Sequence, residues 1–306
     1  MKNLNHLLER FIKYYEIKDN QDFVFFSRLS QIILQNEKEI FYPKKMKKVP
    51  FQKSMDYSIQ FLVTLKEEYA NLVNQTTLGI VRDQFDETPY SDYLSDKKQK
   101  YVYLPYKNNL RDSFMITHEL IHTTTMEEYT SVARNMFCEM FPFVAEMLQR
   151  DYFEQQHIKS ANINDIVVVN AVQEINKSTI FQTDLILEFL DRGSVTASSF
   201  MQMLNQYSEE DIIMISNHIN KNLQNKNLDL FFQNRYIIGY LFACYLYDHM
   251  KDKNEFLNLN DSINQYNVED VIHYLGLEYK DNDYLDLIDE DYQKLEKSYV
   301  KKIKRI

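Results

Sequence analysis

One short stretch, Thr117-His-Glu-Leu-Ile-His122, constrains this 306-residue chain more than any other. If the segment is helical, His118 and His122 are four residues apart and share one face. Two neutral imidazoles one turn apart can bind the same Zn²⁺, and Glu119 is then placed to reach a metal-bound water. Apolar residues on both sides of the motif favour a buried helix. The motif therefore predicts a zinc hydrolase, while the alternative is a chance match in which two core histidines lie beside a helix salt bridge.

Composition narrows the fold and the class of partner. Four glycines, five prolines and no tryptophan leave few helix breakers, so long helices should dominate. The net charge of -10 argues against a nucleic-acid groove, because phosphate binding needs clustered Lys and Arg. Cys138 and Cys244 are too few for a disulfide framework and fit a reducing interior. Charged residues interrupt the apolar residues at the N-terminus, which does not suit a signal peptide. No stretch approaches the roughly 20 apolar residues of a membrane span. We therefore expect a cytoplasmic protein without a membrane partner.

Apolar periodicity predicts helices on both sides of a short strand. Residues 4–17, 22–35 and 54–73 have helical spacing, whereas 82–100 are polar and tyrosine-rich and predict irregular structure. Residues 101–106 have the β-branched and aromatic character of a strand. Pro105 in that strand predicts an edge position or an end to its pairing. Such an edge could bind an extended peptide by strand addition.

Two glutamates after the motif are candidates for a third metal ligand. Thr125-x-x-Glu128 has the form of a capping box, and helical spacing then continues from Val132 to Leu148, with Pro142 as a first-turn residue or a kink. Glu139 and Glu146 are seven residues apart and share one face of that helix. A charged carboxylate among Met and Phe is costly to bury unless it is paired or binds a metal. A solvated helix edge is the alternative for each.

The C-terminal half predicts further helices at 165–176, 179–191, 195–206, 208–222 and 228–250. Gly239, within the apolar pattern of the last helix, suggests close packing. Tyr236 and Tyr240 on the same helix could each supply a hydroxyl, although an aromatic stripe of this kind is more often core.

These residues resemble the thimet oligopeptidase and oligoendopeptidase F group of zinc metallopeptidases. The segment Asn109-Leu-Arg-Asp-Ser-Phe-Met-Ile-Thr-His-Glu-Leu-Ile-His122 is similar to that family's approach to its zinc motif. The strand before it, a helix around 58–69 and the segment 267–277 also resemble family elements. The similarity covers about residues 50–280, which corresponds to the catalytic half of a family member. We therefore divide the chain into an N-terminal helical segment, 1–49, and a catalytic domain, 50–306.

The resemblance implies a mainly α, multi-helical zincin-like metallopeptidase fold with a small β-sheet beside the zinc helix. It also implies Zn²⁺ held by His118, His122 and one glutamate. The family order of Glu, a second Glu seven residues later, Leu and Asp-Tyr favours Glu139 as ligand and Glu146 as its outer partner. The number of residues between the second histidine and the ligand in that family instead suits Glu146, because Glu139 follows His122 more closely than is usual there. Tyr240 matches a family tyrosine that helps to hold the oxyanion, and Tyr236 is the alternative.

The expected reaction is hydrolysis of short peptides. Zn²⁺ would polarise the scissile carbonyl, and Glu119 would take a proton from the attacking water and pass it to the leaving amine. A catalytically silent peptide-binding module on the same fold is the main alternative, and a purely structural helical protein is a further one. The intact motif argues against the silent module, because a binder would not need Glu119, and metal analysis would separate the structural protein from the other two. Nothing in the sequence assigns an oligomeric state.

Overall fold

The computed structural model describes residues 48–84, 87–126, 132–158, 192–194, 196, 208–224 and 234–277. They divide into two compact units, one holding the described residues of Lys38–Val172 and Ile238–Ile306 and the other those of Gln173–Ile237. Every candidate site residue except Tyr236 belongs to the first unit. The predicted helices at 4–17, 22–35, 165–176 and 179–191 lie outside the described residues, as do almost all of 195–206 and Glu128 of the predicted capping box. The division at residue 49 stays a prediction.

The first described helix, α1, runs from Phe51 to Leu65 and buries one apolar face. The sequence predicted a helix that continues to residue 73, and this was wrong. Lys66 has an extended backbone, and its ammonium lies 2.9 Å from the carboxylate of Asp261. A 3₁₀ helix, Glu67–Asn71, and a short helix α2, Leu72–Gln75, follow. The apolar spacing continues across this break because Tyr69 and Leu72 are still buried.

Three strands form one sheet in the order β1-β3-β2. Strand β1 spans Thr76–Arg82, β2 spans Tyr90–Leu94 and β3 spans Gln99–Tyr106. β1 pairs with β3 in parallel, whereas β2 pairs with β3 antiparallel. The prediction of irregular structure over 82–100 was therefore wrong for β2. No residue of β2 is fully buried, so this strand has no apolar alternation to mark it, and its backbone pairing with β3 defines it.

β3 is the central strand of this sheet, which corrects the predicted edge position. Its pairing with β2 ends at Tyr103, opposite Tyr90, whereas its pairing with β1 continues past Pro105 to Tyr106. The carbonyl of Tyr106 accepts a hydrogen bond from the N–H of Asp83, so the backbone groups of Tyr106 face β1. Backbone groups alternate in direction along a strand, so the nitrogen of Pro105 faces the β2 side, beyond the end of that pairing. The missing N–H of Pro105 therefore costs no described ladder bond.

Three helices follow the sheet. Helix α3 spans Arg111–Thr124, α4 spans Val132–Phe137 and α5 spans Met140–Gln155. The predicted periodicity over 132–148 is thus interrupted by a turn at Cys138 and Glu139. Pro142 is the third residue of α5, which confirms the first-turn alternative.

Small polar residues allow α1, α3 and α5 to approach one another. Ser54, Ser58 and Ser113 are fully buried. The hydroxyl of Ser58 donates to the carbonyl of Ser113 at 2.6 Å, and Nε2 of Gln149 donates to the same carbonyl at 3.3 Å. α3 is therefore held between α1 and α5 by contacts that are partly polar.

The remaining described elements are helical. They are α6, Glu209–Gln224; α7, Asn234–His249; α8, Lys253–Ser262; a 3₁₀ turn, Ile263–Gln265; and α9, Val268–Tyr274. α6 and α7 correspond to the predicted helices at 208–222 and 228–250. The fold is mainly α with a small sheet, as predicted. Among the helices in the described ranges, none is both long enough and apolar enough to cross a bilayer.

Candidate metal centre

Helix α3 carries the paired histidines and is fixed at both ends. At its start, the buried carboxylate of Asp112 accepts hydrogen bonds from the backbone N–H groups of Lys107 and Asn109, both at 3.1 Å. At its end, Nζ of Lys100 donates to the carbonyl of Thr123 at 2.5 Å, and Nδ2 of Asn260 donates to the hydroxyl of Thr124 at 2.9 Å. Lysine near the last carbonyls of a helix also opposes the negative end of the helix dipole. The polar contacts therefore hold α3 on both sides of its motif.

His118, His122 and Glu139 come together as the sequence predicted they could. The imidazole rings of His118 and His122 have centroids 4.9 Å apart. Oε2 of Glu139 lies 3.2 Å from Nε2 of His118 and 3.3 Å from Nε2 of His122. One ligand atom from each of the three residues lies within 4.8 Å of the others. Glu139 is only 2% exposed, so its carboxylate reaches the histidines from inside the protein.

The chemistry of the three residues, and the two separations from Glu139, suit a tetrahedral metal ion. Zinc binds imidazole nitrogen and carboxylate oxygen at about 2.0–2.2 Å, which separates two ligands of a tetrahedral site by about 3.3 Å. The two distances from Glu139 match that separation. Two neutral imidazoles and one carboxylate also leave a fourth position, as catalytic zinc sites do.

Glu146 contacts the other nitrogen of His118. Its Oε1 lies 2.6 Å from Nδ1 of that ring, and Glu146 is buried. A carboxylate can only accept here, so Nδ1 carries the proton of this hydrogen bond. Glu139 and Glu146 therefore lie at opposite edges of one imidazole, and only Glu139 also faces His122.

The carboxylates control the charge of the centre in the metal-free protein. Burial lowers the pKa of His118, but hydrogen bonds and charges from Glu139 and Glu146 outweigh burial and raise that pKa well above its ordinary value. Burial raises the pKa of Glu139, but the charges and hydrogen bonds of His122 and His118 hold it well below its usual range. Without metal, an imidazolium at His118 is thus stabilised between two carboxylates.

Glu119 lies beside this group and has different surroundings. It is 4% exposed, and Ser91 in β2 slightly favours its charged form. Burial raises the pKa of Glu119, and the charges of His118 and His122 only partly oppose this. A buried carboxylate with a raised pKa that is not itself a ligand has the properties of a general base. The sequence did not identify Ser91, because this residue falls in the stretch predicted to be irregular.

The two tyrosines of α7 have different surroundings. Tyr240 is 2% exposed, and its ring meets the ring of Phe143 edge-on, with centroids 5.4 Å apart. Phe143 in turn meets His118 edge-on, with centroids 5.3 Å apart. Tyr236 is half-buried, and the guanidinium of Arg235 lies over its ring. Phe143 therefore contacts both Tyr240 and a histidine of the motif, a role that the sequence alone did not suggest.

Gly239 lies against Glu139, which confirms the close packing predicted for this glycine. Cys138 is also buried, and its thiol lies 3.9 Å from Oε1 of Glu139. Cys138 and Cys244 form no disulfide. The sequence identified Gly239 as unusual, but it could not identify the partner.

Solved structures of similar fold are known. A Chlamydophila abortus protein provisionally named a peptidase matches with a TM-score of 0.51 and 17% identity, over 96% of this chain and 55% of that one. A 3.1 Å X-ray structure provisionally named oligoendopeptidase F matches with a TM-score of 0.57 and 11% identity, over 94% of this chain and 58% of that one. A protein of Bacillus anthracis str. Ames with the same provisional name has a TM-score of 0.52 and 10% identity, over 94% of this chain and 56% of that one. No family model and no curated protein matches the sequence.

These matches show a shared fold, and the chemistry has to be inferred from the residues of the site. The chain spans little more than half the length of each of the three structures. Proteins named as peptidases therefore share the architecture that the sequence resemblance implied.

Proposed function

We propose that this protein is a zinc-dependent peptidase that hydrolyses short peptides. The observation that carries the proposal is the convergence of His118 Nε2, His122 Nε2 and Glu139 Oε2, with separations of 3.2 and 3.3 Å from the carboxylate, beside the buried carboxylate of Glu119. The names of the structural neighbours support the same class, since two of them are called oligoendopeptidase F. Fold alone does not give function, so the site carries the assignment.

His118, His122 and Glu139 would hold the ion. Zn²⁺ bound there supplies a Lewis acid that polarises a carbonyl and acidifies a water molecule. The geometry favours Glu139 over Glu146 as the carboxylate ligand, because Glu139 faces Nε2 of both rings. Glu146 would hold the proton on Nδ1 of His118, so that Nε2 presents its lone pair to the centre.

Glu119 would act as the general base. It would take a proton from the attacking water and return it to the leaving amine nitrogen. Its burial and its raised pKa support this role.

A hydroxyl from α7 would donate to the oxyanion that forms when water adds to the carbonyl. Tyr240 is the first candidate, since its ring packs on Phe143, which packs on His118. Tyr236, one turn earlier on the same helix, is the second candidate.

The test combines metal analysis with peptide cleavage. Purified wild type should bind one zinc ion per chain and cleave members of a quenched fluorescent peptide library. His118→Ala and His122→Ala should lose both properties, whereas His273→Ala, a matched histidine variant on α9, should keep them. Full zinc occupancy in either motif variant would exclude this site. Tight peptide binding by zinc-loaded wild type without any cleavage would favour a silent binding module.

A further inference from the structure

We propose that Gly239 is a positioning residue for Glu139. Because this glycine has no side chain, the backbone of α7 can lie directly against the residue that supplies the carboxylate of the metal centre. This inference rests on the proposed function, since it treats Glu139 as a ligand, and its test below separates the two.

The contact leaves no room for a side chain. A Cβ added at Gly239 would lie 2.5 Å from Cβ of Glu139, 2.8 Å from its carbonyl carbon and 2.8 Å from the nitrogen of Met140. Carbon atoms in contact prefer about 3.5–4.0 Å, so each of these separations is a clash. Two of the three atoms belong to the backbone and cannot rotate away. A single methyl group at Gly239 must therefore displace either α7 or the turn that carries Glu139.

Glycine at this position has an intrinsic cost, since it stabilises a helix interior less than alanine does. Gly239 lies inside α7, whose bounds are Asn234 and His249, and it is buried. The close approach to Glu139 gives a physical reason for a residue that the helix itself disfavours.

Other contacts between α5 and α7 prevent α7 from simply moving aside. Phe143 packs on Tyr240, and seven residues further along each helix Arg150 hydrogen-bonds the hydroxyl of Tyr247 at 2.5 Å. Asp151 accepts a hydrogen bond from the same hydroxyl. These layers tie α7 to α5 on the C-terminal side of Gly239, so the displacement falls on the turn at Cys138 and Glu139.

Glu139 is sensitive to such a displacement. Its backbone is held in a turn with φ -81° and ψ -17°, without a side-chain cap. Its Oε2 is shared between Nε2 of His118 and Nε2 of His122, and its Oε1 faces the thiol of Cys138. Metal–ligand distances are met to within about 0.2 Å, so a shift of the Cβ by a few tenths of an ångström is felt at the metal.

The experiment compares Gly239→Ala with Gly79→Ala. Gly79, in β1, is a matched control, because a Cβ there would also clash, but with the terminal oxygen of Tyr101, which is the end of a side chain that can rotate. Zinc affinity is measured by competition with a chelating dye, and Co²⁺ loaded in place of Zn²⁺ reports the ligand geometry through its absorption spectrum. We expect Gly239→Ala to lower affinity about tenfold or more and to change the cobalt spectrum. Gly79→Ala should match wild type in both.

A metal-free readout separates this inference from the proposed function. In the metal-free protein, the imidazole ¹⁵N signals of His118 and His122 report their contacts with Glu139. Gly239→Ala should shift these signals and Gly79→Ala should not. If wild type binds no metal, the proposed function fails, and the histidine signals alone decide the positioning role. Wild-type affinity, cobalt spectrum and histidine signals in Gly239→Ala would together overturn it.

A double variant covers the case in which Gly239→Ala does not fold. Glu139→Gly removes the nearest atom of the clash and frees the turn, so Gly239→Ala should lower the melting temperature less in that background than in wild type. Equal losses of melting temperature in the two backgrounds would show that the contact with Glu139 is not the cause.

Discussion

Glu146 accepts a hydrogen bond from Nδ1 of His118 at 2.6 Å, while Glu139 lies 3.2 Å from Nε2 of the same ring. One histidine of the motif is thus held between two carboxylates that are seven residues apart in sequence. The two carboxylates cannot be equivalent, because only one of them faces the second histidine.

This arrangement predicts unequal effects of removing the two carboxylates. Glu146→Ala should weaken zinc binding by about 10–100-fold, since it releases the ring orientation and the proton on Nδ1. Glu139→Ala should weaken it more, because a charged ligand is lost. Dye competition measures both, with Glu154→Ala, an exposed position on the same helix, as the control. Loss of zinc from Glu146→Ala but not from Glu139→Ala would exchange the two roles.

Glu119→Gln should separate catalysis from metal binding. The side chain is not among the converging ligand atoms, so zinc content and peptide affinity should stay close to those of wild type. Turnover should fall by about 10²–10⁴-fold, the usual effect of losing a general acid–base group. Single-turnover cleavage with zinc analysis on the same sample gives both numbers. Unchanged cleavage in this variant would exclude Glu119 as the base.

The metal-free centre predicts a pH dependence of metal binding. The pKa of His118 is raised well above its ordinary value, and the ion can bind Nε2 only after the proton leaves. At pH values below that raised pKa, each ion bound should release one proton from His118. Calorimetry in buffers of different ionisation enthalpy counts the protons. Glu146→Gln removes one of the groups that raise the pKa, so proton release should end at a lower pH in this variant.

The shifted pKa values of His118 and Glu139 also make the stability of the metal-free protein depend on pH, in opposite directions. Because the folded-state pKa of His118 is raised, its contribution to the free energy of unfolding is full below about pH 6.5 and is lost as pH rises through the raised value. Because the pKa of Glu139 is lowered, its contribution is present above about pH 4.3 and is lost as pH falls further. Thermal unfolding of metal-free wild type, compared with His118→Ala, checks the loss of stability predicted at high pH. An identical pH dependence in the two proteins would contradict the predicted charge on His118.

Local sequence predicted the parts of the site that lie on one helix. His118, Glu119 and His122 follow from spacing alone, because a helix places residues four apart on one face. Spacing alone named Glu139 and Glu146 but did not rank them, and only the family resemblance favoured Glu139, since their roles depend on the turn that interrupts the helical spacing after Phe137. That turn has no Gly or Pro to mark it, and the packing of Gly239 against it comes from a helix a hundred residues away.

The sheet was less predictable for a related reason. β2 lies at an edge with no fully buried side chain, so apolar patterning does not detect it, and with it the influence of Ser91 on the charge of Glu119 was missed. Pro105 suggested an edge strand because it lacks an N–H, yet the side on which that N–H is missing lies beyond the end of β2. Which edge of a strand a proline faces depends on register, and register is a long-range property.

The hydroxyl of Tyr240 can be removed without changing the packing of its ring. The ring of Tyr240 packs edge-on against Phe143, and Tyr240→Phe keeps this ring while removing only the oxygen. Zinc affinity and melting temperature should therefore change little. If the hydroxyl donates to the oxyanion, turnover should fall by about 10²–10³-fold at unchanged zinc content.

Two further tyrosine variants complete this test. Tyr236→Phe examines the second candidate donor in the same assay. Tyr274→Phe, which removes an exposed hydroxyl bonded to the carbonyl of Glu255, controls for the general effect of losing a phenol. A loss of turnover in Tyr236→Phe alone would move the role one turn along α7. Full turnover in both α7 variants would mean that neither hydroxyl stabilises the transition state, and the donor must then come from another element.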